Sequence, residues 1–323
     1  MRNISTVMGS ALLALGVALT LRVTDMRAEA PQTPAQTGTA PQTGAAPAPG
    51  RTAARPVVDA PAPKKHVLVL AFANGWHHGS ITDAAATIWQ MGNESGLFDT
   101  EIRSDTKWIT KGSAGSGESR NLDWFDAIVA VNTTGAWLLE DEQKQDFLSF
   151  IRDDGKGFVG VHAALDANRG TIWPEYLEMI GGQFASHPWN TFAAPVIIED
   201  PAFPAMRHFT STQLTLYDEM YMSREPYDRS KVNVLMRLDE SKLPPVPGRA
   251  GEAPAAGGRG SLREDRDFAI AWAKTYGKGR VFYSSLGHTK ASWTNPDVRK
   301  MYLEAIKWSL GLTEGSTASH QRR

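Results

Sequence analysis

The chain of 323 residues contains no cysteine. That absence excludes disulfides, thiolate metal sites, iron–sulfur clusters, covalent c-type haem attachment, lipoprotein acylation and every cysteine-nucleophile mechanism. An excess of charge of one sign is missing too: 34 Lys and Arg stand against 35 Asp and Glu. Such a balance argues against nucleic acid as a partner and offers no basic surface to anionic lipid. No phosphate loop of the Gly-x-x-x-x-Gly-Lys-Ser/Thr or Gly-x-Gly-x-x-Gly kind follows a strand, and Gly277-Lys278-Gly279-Arg280 reads as a hairpin turn. Neither Ser284 nor Ser285 occupies a Gly-x-Ser-x-Gly elbow, which disfavours a serine hydrolase. What is present is a globular composition, 41% hydrophobic and 21% charged, with ten tryptophans to be housed in a core or on a stacking surface.

The N-terminus reads as a secretion signal over residues 1–30. Arg2 gives a positive start, Met8 to Leu21 is an apolar run, and Ala28-Glu29-Ala30 fits a small-x-small cleavage site. The run is short for a membrane span of about 20 residues, so an uncleaved anchor is the alternative and the one route to a membrane. The expected location is periplasmic or secreted. Residues 31–63 are rich in Pro and Ala and read as an extended, disordered tether. The folded body is expected over residues 64–312, interrupted by a flexible loop at residues 243–260 and followed by a frayed tail at residues 313–323.

Within the body, apolar strands alternate with amphipathic helices. His66 to Phe72, Phe125 to Asn132 and Gly157 to His162 are near-continuous apolar runs, as parallel strands covered on both faces require. Further strands are expected at Asp99 to Ser104, Ala194 to Ile198, Val232 to Leu238, Phe268 to Lys274 and Arg280 to Ser284. Helices are expected from a Ser80 cap through Trp89, and over Glu140 to Arg152, Trp173 to Ile180 and Pro296 to Leu310. The order predicts an α/β fold: a doubly wound, mainly parallel sheet with helices on both faces and an antiparallel extension.

Ligands bind such sheets at the carboxyl ends of the strands, and polar residues gather there. His78 follows the first strand, His162 ends the Gly157 strand, and His187 and His288 lie in short loops. Glu219 sits among aromatics in Tyr217-Asp218-Glu219-Met220-Tyr221. These five are the candidate catalytic residues. Asn132, Asp166, Trp76, Trp189 and Trp272 are candidates for substrate contact. His162, His187, Glu219 and His288 also make a set that a divalent metal such as zinc accepts. A metal-free site using His with Glu or Asp as acid and base fits equally well. Gly160-Val161-His162-Ala163-Ala164 has the shape of a strand-to-helix elbow, with histidine where hydrolases carry a nucleophile.

Together these segments resemble the ThuA-like (trehalose-utilisation) family, whose fold is similar to class I glutamine amidotransferases. The resemblance rests on Gly75-Trp76-His77-His78-Gly79-Ser80, Val131-Asn132-Thr133-Thr134-Gly135, Gly157 through Asp166, Gly181-Gly182-Gln183-Phe184, Ser186-His187-Pro188, Asp218-Glu219-Met220-Tyr221, Ile270-Ala271-Trp272 and Gly279 through Thr289. It implies a flavodoxin-like sandwich and a role in carbohydrate catabolism, processing a disaccharide or 3-keto-glycoside. The partner would then be a small-molecule sugar or oxidised glycoside. Amidotransferase activity is not implied, since that reaction needs a thiolate. A non-catalytic carbohydrate-binding or scaffold module is the alternative.

Overall fold

Eleven strands and five α-helices alternate along the residues that the computed structural model describes, 63–112, 120–246 and 262–322. The expected signal, most of the expected tether, and residues 247–260 of the expected loop lie outside them. The first half runs β1 (Lys65–Leu70), α1 (Ile81–Ser95), β2 (Phe98–Arg103), β3 (Ala127–Val131), α2 (Asp141–Arg152), β4 (Gly157–Val161) and α3 (Pro174–Ile180). The second runs β5 (Gln183–Ser186), β6 (Thr191–Ile198), β7 (Gln213–Glu219), β8 (Met222–Arg224), β9 (Asn233–Leu238), β10 (Ala269–Tyr276), β11 (Gly279–Ser284), α4 (Lys290–Thr294) and α5 (Pro296–Ser309).

Nine strands form one sheet in the order β2-β1-β3-β4-β11-β10-β9-β6-β7, while β5 and β8 pair separately. The five strands from β2 to β11 are parallel, and β10, β9, β6 and β7 continue the sheet antiparallel. The apolar runs of β1, β3 and β4 are buried on both faces, as their sequence demands. Val67, Val69, Val129 and Val161 enter one hydrophobic cluster with α1 and α5. Leu68, Leu70, Ile128 and Phe158 enter the other with α2 and α3. Each strand thereby seats two helical layers, which fixes its register, because a one-residue slip would exchange the two clusters. Among the described residues, no helix is long and apolar enough to cross a membrane.

Two local expectations are corrected. Ser80 stands at the start of α1 but makes no side-chain cap; its hydroxyl donates instead to the Gly287 carbonyl at 2.8 Å. The described tail residues do not fray but lie along the body. Arg280 holds the Thr313 carbonyl at 2.8 Å and the Glu314 carboxylate at 3.0 Å, and Asn233 donates to the Ser316 carbonyl at 2.8 Å.

Candidate functional site

Three parallel strands deliver imidazoles to one end of the sheet. His162 follows β4 directly and His288 lies in the loop after β11, its neighbour in the sheet. His78 ends the turn after β1, buried, while His77 beside it is exposed. His162 occupies the tip of the expected elbow in the left-handed region, at φ +44°. A β-carbon there is strained, and such strain persists only where surrounding contacts hold it. The His162 Nδ1–H donates to the Ser285 carbonyl at 2.7 Å. That bond commits Nδ1 to the backbone and turns Nε2 toward the centre of the site, 3.1 Å from His288 Nδ1.

The carboxylate arrives from the far edge of the sheet. Asp218 and Glu219 end β7, and as adjacent strand residues they face opposite ways. Asp218 is fully buried and grips the His288 loop: it accepts from the Gly287 and Thr289 N–H groups, at 2.6 and 3.0 Å, and from the Ser292 hydroxyl. Gly287 sits at φ +119°, which only glycine tolerates readily, and a β-carbon there would meet Val161 at 2.8 Å. Its carbonyl collects donors from Ser80, Asn132 and Trp293. The loop that presents His288 is therefore fixed from four directions. Glu219, turned the other way, meets the histidines.

One nitrogen each from His78, His162 and His288 and one oxygen from Glu219 all lie within 4.8 Å of one another. His288 Nδ1 is 3.1 Å from His162 Nε2 and 3.2 Å from Glu219 Oε2, which is 3.5 Å from His162 Nε2. Donors bound to one zinc at 2.0–2.1 Å with tetrahedral angles stand about 3.4 Å apart, so these separations suit a common ion. His78 Nδ1 is buried without a hydrogen bond; the Trp76 carbonyl is within electrostatic reach but not in bonding geometry. The donor types and their spacing fit a divalent cation.

The electrostatics are those of one coupled unit. Burial, then repulsion from His162 and His288, lowers His78 to about 3. Burial opposes ionisation of Glu219, but hydrogen bonds and charge from His162 and His288 outweigh it and hold the carboxyl well below the usual range. Burial likewise works against charging His288, and the Glu219 carboxylate reverses this and raises it. His78 is thus the proton-resisting member, and folded-state stability follows the sign of its shift. A histidine depressed to about 3 and near 6.5 when unfolded contributes stability above pH 6.5 that is lost as pH falls. In metal-free protein, going from pH 6.5 to 5 should cost the parent about 2 kcal/mol more than His78→Gln, roughly 4–8 °C in Tm. Asp166, raised to about 6 by burial, acts in the opposite direction but equally in both proteins. Melting curves of chelator-treated samples check this; parallel Tm-versus-pH curves would contradict it.

Above the cluster opens a cavity of about 760 Å³, lined by His78, Glu219, His288, His187 and Asp166, with Trp76 at its rim. His187 is part of the site but not of the four-residue cluster: His78 takes the place expected for it in the metal set. Its Nδ1, without a hydrogen bond, lies 3.4 Å from the other oxygen of Glu219. Asp166 Oδ1 is 2.9 Å from Arg169 Nε. Trp76 is 74% exposed.

Three expected substrate contacts are corrected. Asn132 is fully buried and ties Ser80 and Gly287 together through its amide. Trp189 packs on Phe192 and Phe268 and donates to the Pro244 carbonyl at 2.9 Å. Trp272 has no exposed surface and donates to the Ile180 carbonyl at 2.9 Å. Ser284 and Ser285 are buried as well. Asp218 and Ser285, which position the cluster, were not anticipated as site residues; the Asp-Glu pair at a strand end was the available signal for Asp218.

The comparisons with known proteins agree with this architecture. The family model ThuA, described as trehalose utilisation, matches residues 66–309. A ThuA-like protein from Bacteroides uniformis superposes with a TM-score of 0.60 at 19% identity, over 79% of this chain and 95% of its own. One from Parabacteroides merdae gives a TM-score of 0.55 at 16% identity, over 80% and 98%. At such identities the likeness concerns the fold. No curated protein matches the chain.

Proposed function

This chain belongs to the ThuA family, and from that premise we propose that it is an enzyme of carbohydrate catabolism. Its substrate class is a disaccharide or 3-keto-glycoside, worked on by histidine–carboxylate acid–base chemistry with metal assistance. The observation that carries the reading is the convergence of His78, His162, His288 and Glu219 on the floor of an open cavity. An isolated structural histidine bonds to backbone; three imidazoles packed around one carboxylate do not arise that way.

His78, His162, His288 and Glu219 would hold the ion, zinc being the one their donor types suit. When bound, it supplies a Lewis acid that polarises a carbonyl. The remaining steps fall to the chain's own side chains. A keto group at the 3-position acidifies the neighbouring C–H. His187, at the cavity wall beside Glu219, is the base that takes that proton, and the C–H electron pair moves toward the carbonyl oxygen. Return of that pair forms a C–C double bond and expels the aglycone oxygen from C1. Asp166, raised to about 6 by burial against the opposing charge of Arg169, can carry the proton that the leaving oxygen needs. Trp76 offers an exposed aromatic face at the rim, suited to the C–H-rich side of a sugar ring. An exported setting, periplasmic or secreted, belongs to the same reading, supported by the positive start and apolar run of residues 2–21.

Purified protein assayed against disaccharides and their 3-keto derivatives should convert the keto forms, and chelation should stop conversion. Binding without conversion, with or without metal, would instead identify a carbohydrate-binding module, and neither binding nor conversion would reject the sugar reading.

A further inference from the structure

Resting on that reading, we infer that Tyr221 is a further catalytic residue, its hydroxyl donating a hydrogen bond to the substrate oxygen on which negative charge develops. A phenol buried in a protein normally finds a partner for its hydroxyl. The other buried tyrosines obey this rule. Tyr176 donates to the Ala164 carbonyl at 2.8 Å, Tyr227 to Asp267 at 2.7 Å, Tyr283 to the His162 carbonyl at 3.0 Å, and Tyr302 to the Leu286 carbonyl. Tyr221 differs: its ring is buried and the residue only 4% exposed, but among the described residues nothing bonds its hydroxyl, which is open to solvent rather than sealed in the core. It also lines the cavity above the cluster.

Its placement is not loose. Its backbone N–H donates to Ser285 Oγ at 2.7 Å, and the Ser285 carbonyl holds His162 Nδ1 at 2.7 Å. One residue thus registers the phenol against the imidazole. The Tyr221 ring lies 4.1 Å from that of His162 and 4.4 Å from that of Phe184. A phenol ordinarily titrates near 10, so at neutral pH it is a donor. A preorganised neutral donor beside a cation site suits an oxygen that gains charge as the adjacent carbon loses its proton. The proton leaves to the base and the electron pair to the carbonyl oxygen; Tyr221 shares its own proton without surrendering it.

Tyr221→Phe keeps the ring contacts and the backbone bond and removes only the hydroxyl. On a 3-keto-glycoside, kcat and kcat/KM should fall together by about 10²-fold, the signature of a contact made in the transition state. Metal content and Tm should not change. The second readout needs no turnover: acetohydroxamate, a small chelating oxyanion, titrated into the zinc-loaded protein. The variant should bind it about tenfold more weakly than the parent, the loss of one hydrogen bond to a charged oxygen. Equal affinities, or a parent that binds none, overturn the assignment. Weaker binding by the variant with no turnover of any 3-keto-glycoside by the parent would retain the donor and reject the sugar reading instead.

Discussion

Glu219→Gln is expected to lower turnover by on the order of 10³-fold or more and to strip the protein of divalent metal while leaving it folded. The reasoning is electrostatic. Glu219 is the one carboxylate in the four-residue cluster, and its oxygens reach all of His162, His187 and His288 within 3.5 Å. Gln has the same shape but cannot neutralise a dication, and its amide nitrogen would point a donor at an imidazole. The raised proton affinity of His288 depends on this carboxylate and should drop with it. The backbone scaffold survives, because the β7 terminus is held by Asp218 and Ser285 rather than by the Glu219 side chain. His162→Ala should match it in activity and metal loss, and it also removes the ring beside Tyr221. Elemental analysis of purified variants alongside the keto-glycoside assay checks both. Turnover at the parent's rate in either variant would remove the mechanism proposed above.

The elbow gives this prediction its structural sense. In glutamine amidotransferases, which the fold resembles, chemistry needs a thiolate, and this chain has no cysteine to offer. Here the strained position after β4 carries an imidazole whose Nδ1 is committed to backbone and whose Nε2 faces the cluster. The same local device that can project a nucleophile projects a candidate ligand.

What the sequence made legible depended on the kind of information each residue carried. The parallel half of the sheet was legible because β3, β4 and the last four residues of β1 are continuous runs without a polar side chain, a pattern only a doubly covered strand tolerates. The short pair β5 and β8, the edge strand β7 and the five-residue α4 were not foreseen. Gln183–Ser186 and Met222–Arg224 are too brief for a period to register, and β7 shows solvent one side along much of its length. His78, His162, His187, Glu219 and His288 were all legible as site residues from their places after strands and in adjoining loops. Their grouping was not, because nothing in the spacing says that β7, at the sheet's far edge, returns over the β11 loop. Trp272 illustrates the opposite error. It stood near polar blocks in sequence, yet it belongs to the run Phe268–Ala273, which is buried on both faces like β1. Its apolar context outweighed its proximity to the motif.

That same geometry makes the antiparallel extension the site's mechanical support, and Arg229→Met should expose this as a loss of about 3–5 kcal/mol. Along the sheet, Glu219 reaches the parallel half through β6, β9 and β10, in that order, beside the direct grip of Asp218 on the His288 loop. A buried ionic network ties those strands together. Arg229 donates to both Glu199 oxygens, at 2.7 and 3.1 Å, and to Asp267 at 2.9 Å through Nε, while Arg237 lies 2.8 Å from Glu199. Glu199 follows β6 and its side chain has no exposure; Asp267 precedes β10 and also accepts from Tyr227. Methionine fills much of the space but strands two carboxylates near one another with less than their full complement of donors. Breaking a buried pair in this way costs far more than the intact pair contributes, because the uncompensated charge stays out of water. For a domain of this size the loss corresponds to roughly 6–20 °C in Tm, measurable by thermal melts. Adding Asp267→Asn to Arg229→Met should recover part of it, since the charge that lost its Arg229 pair is then gone while Glu199 keeps Arg237, giving a clear coupling in a double-mutant cycle. Metal content at low temperature should remain near the parent's, and turnover should fail at a correspondingly lower temperature. A change in Tm within about 2 °C for Arg229→Met would show that the network is not what holds the extension, and with it Glu219, in place.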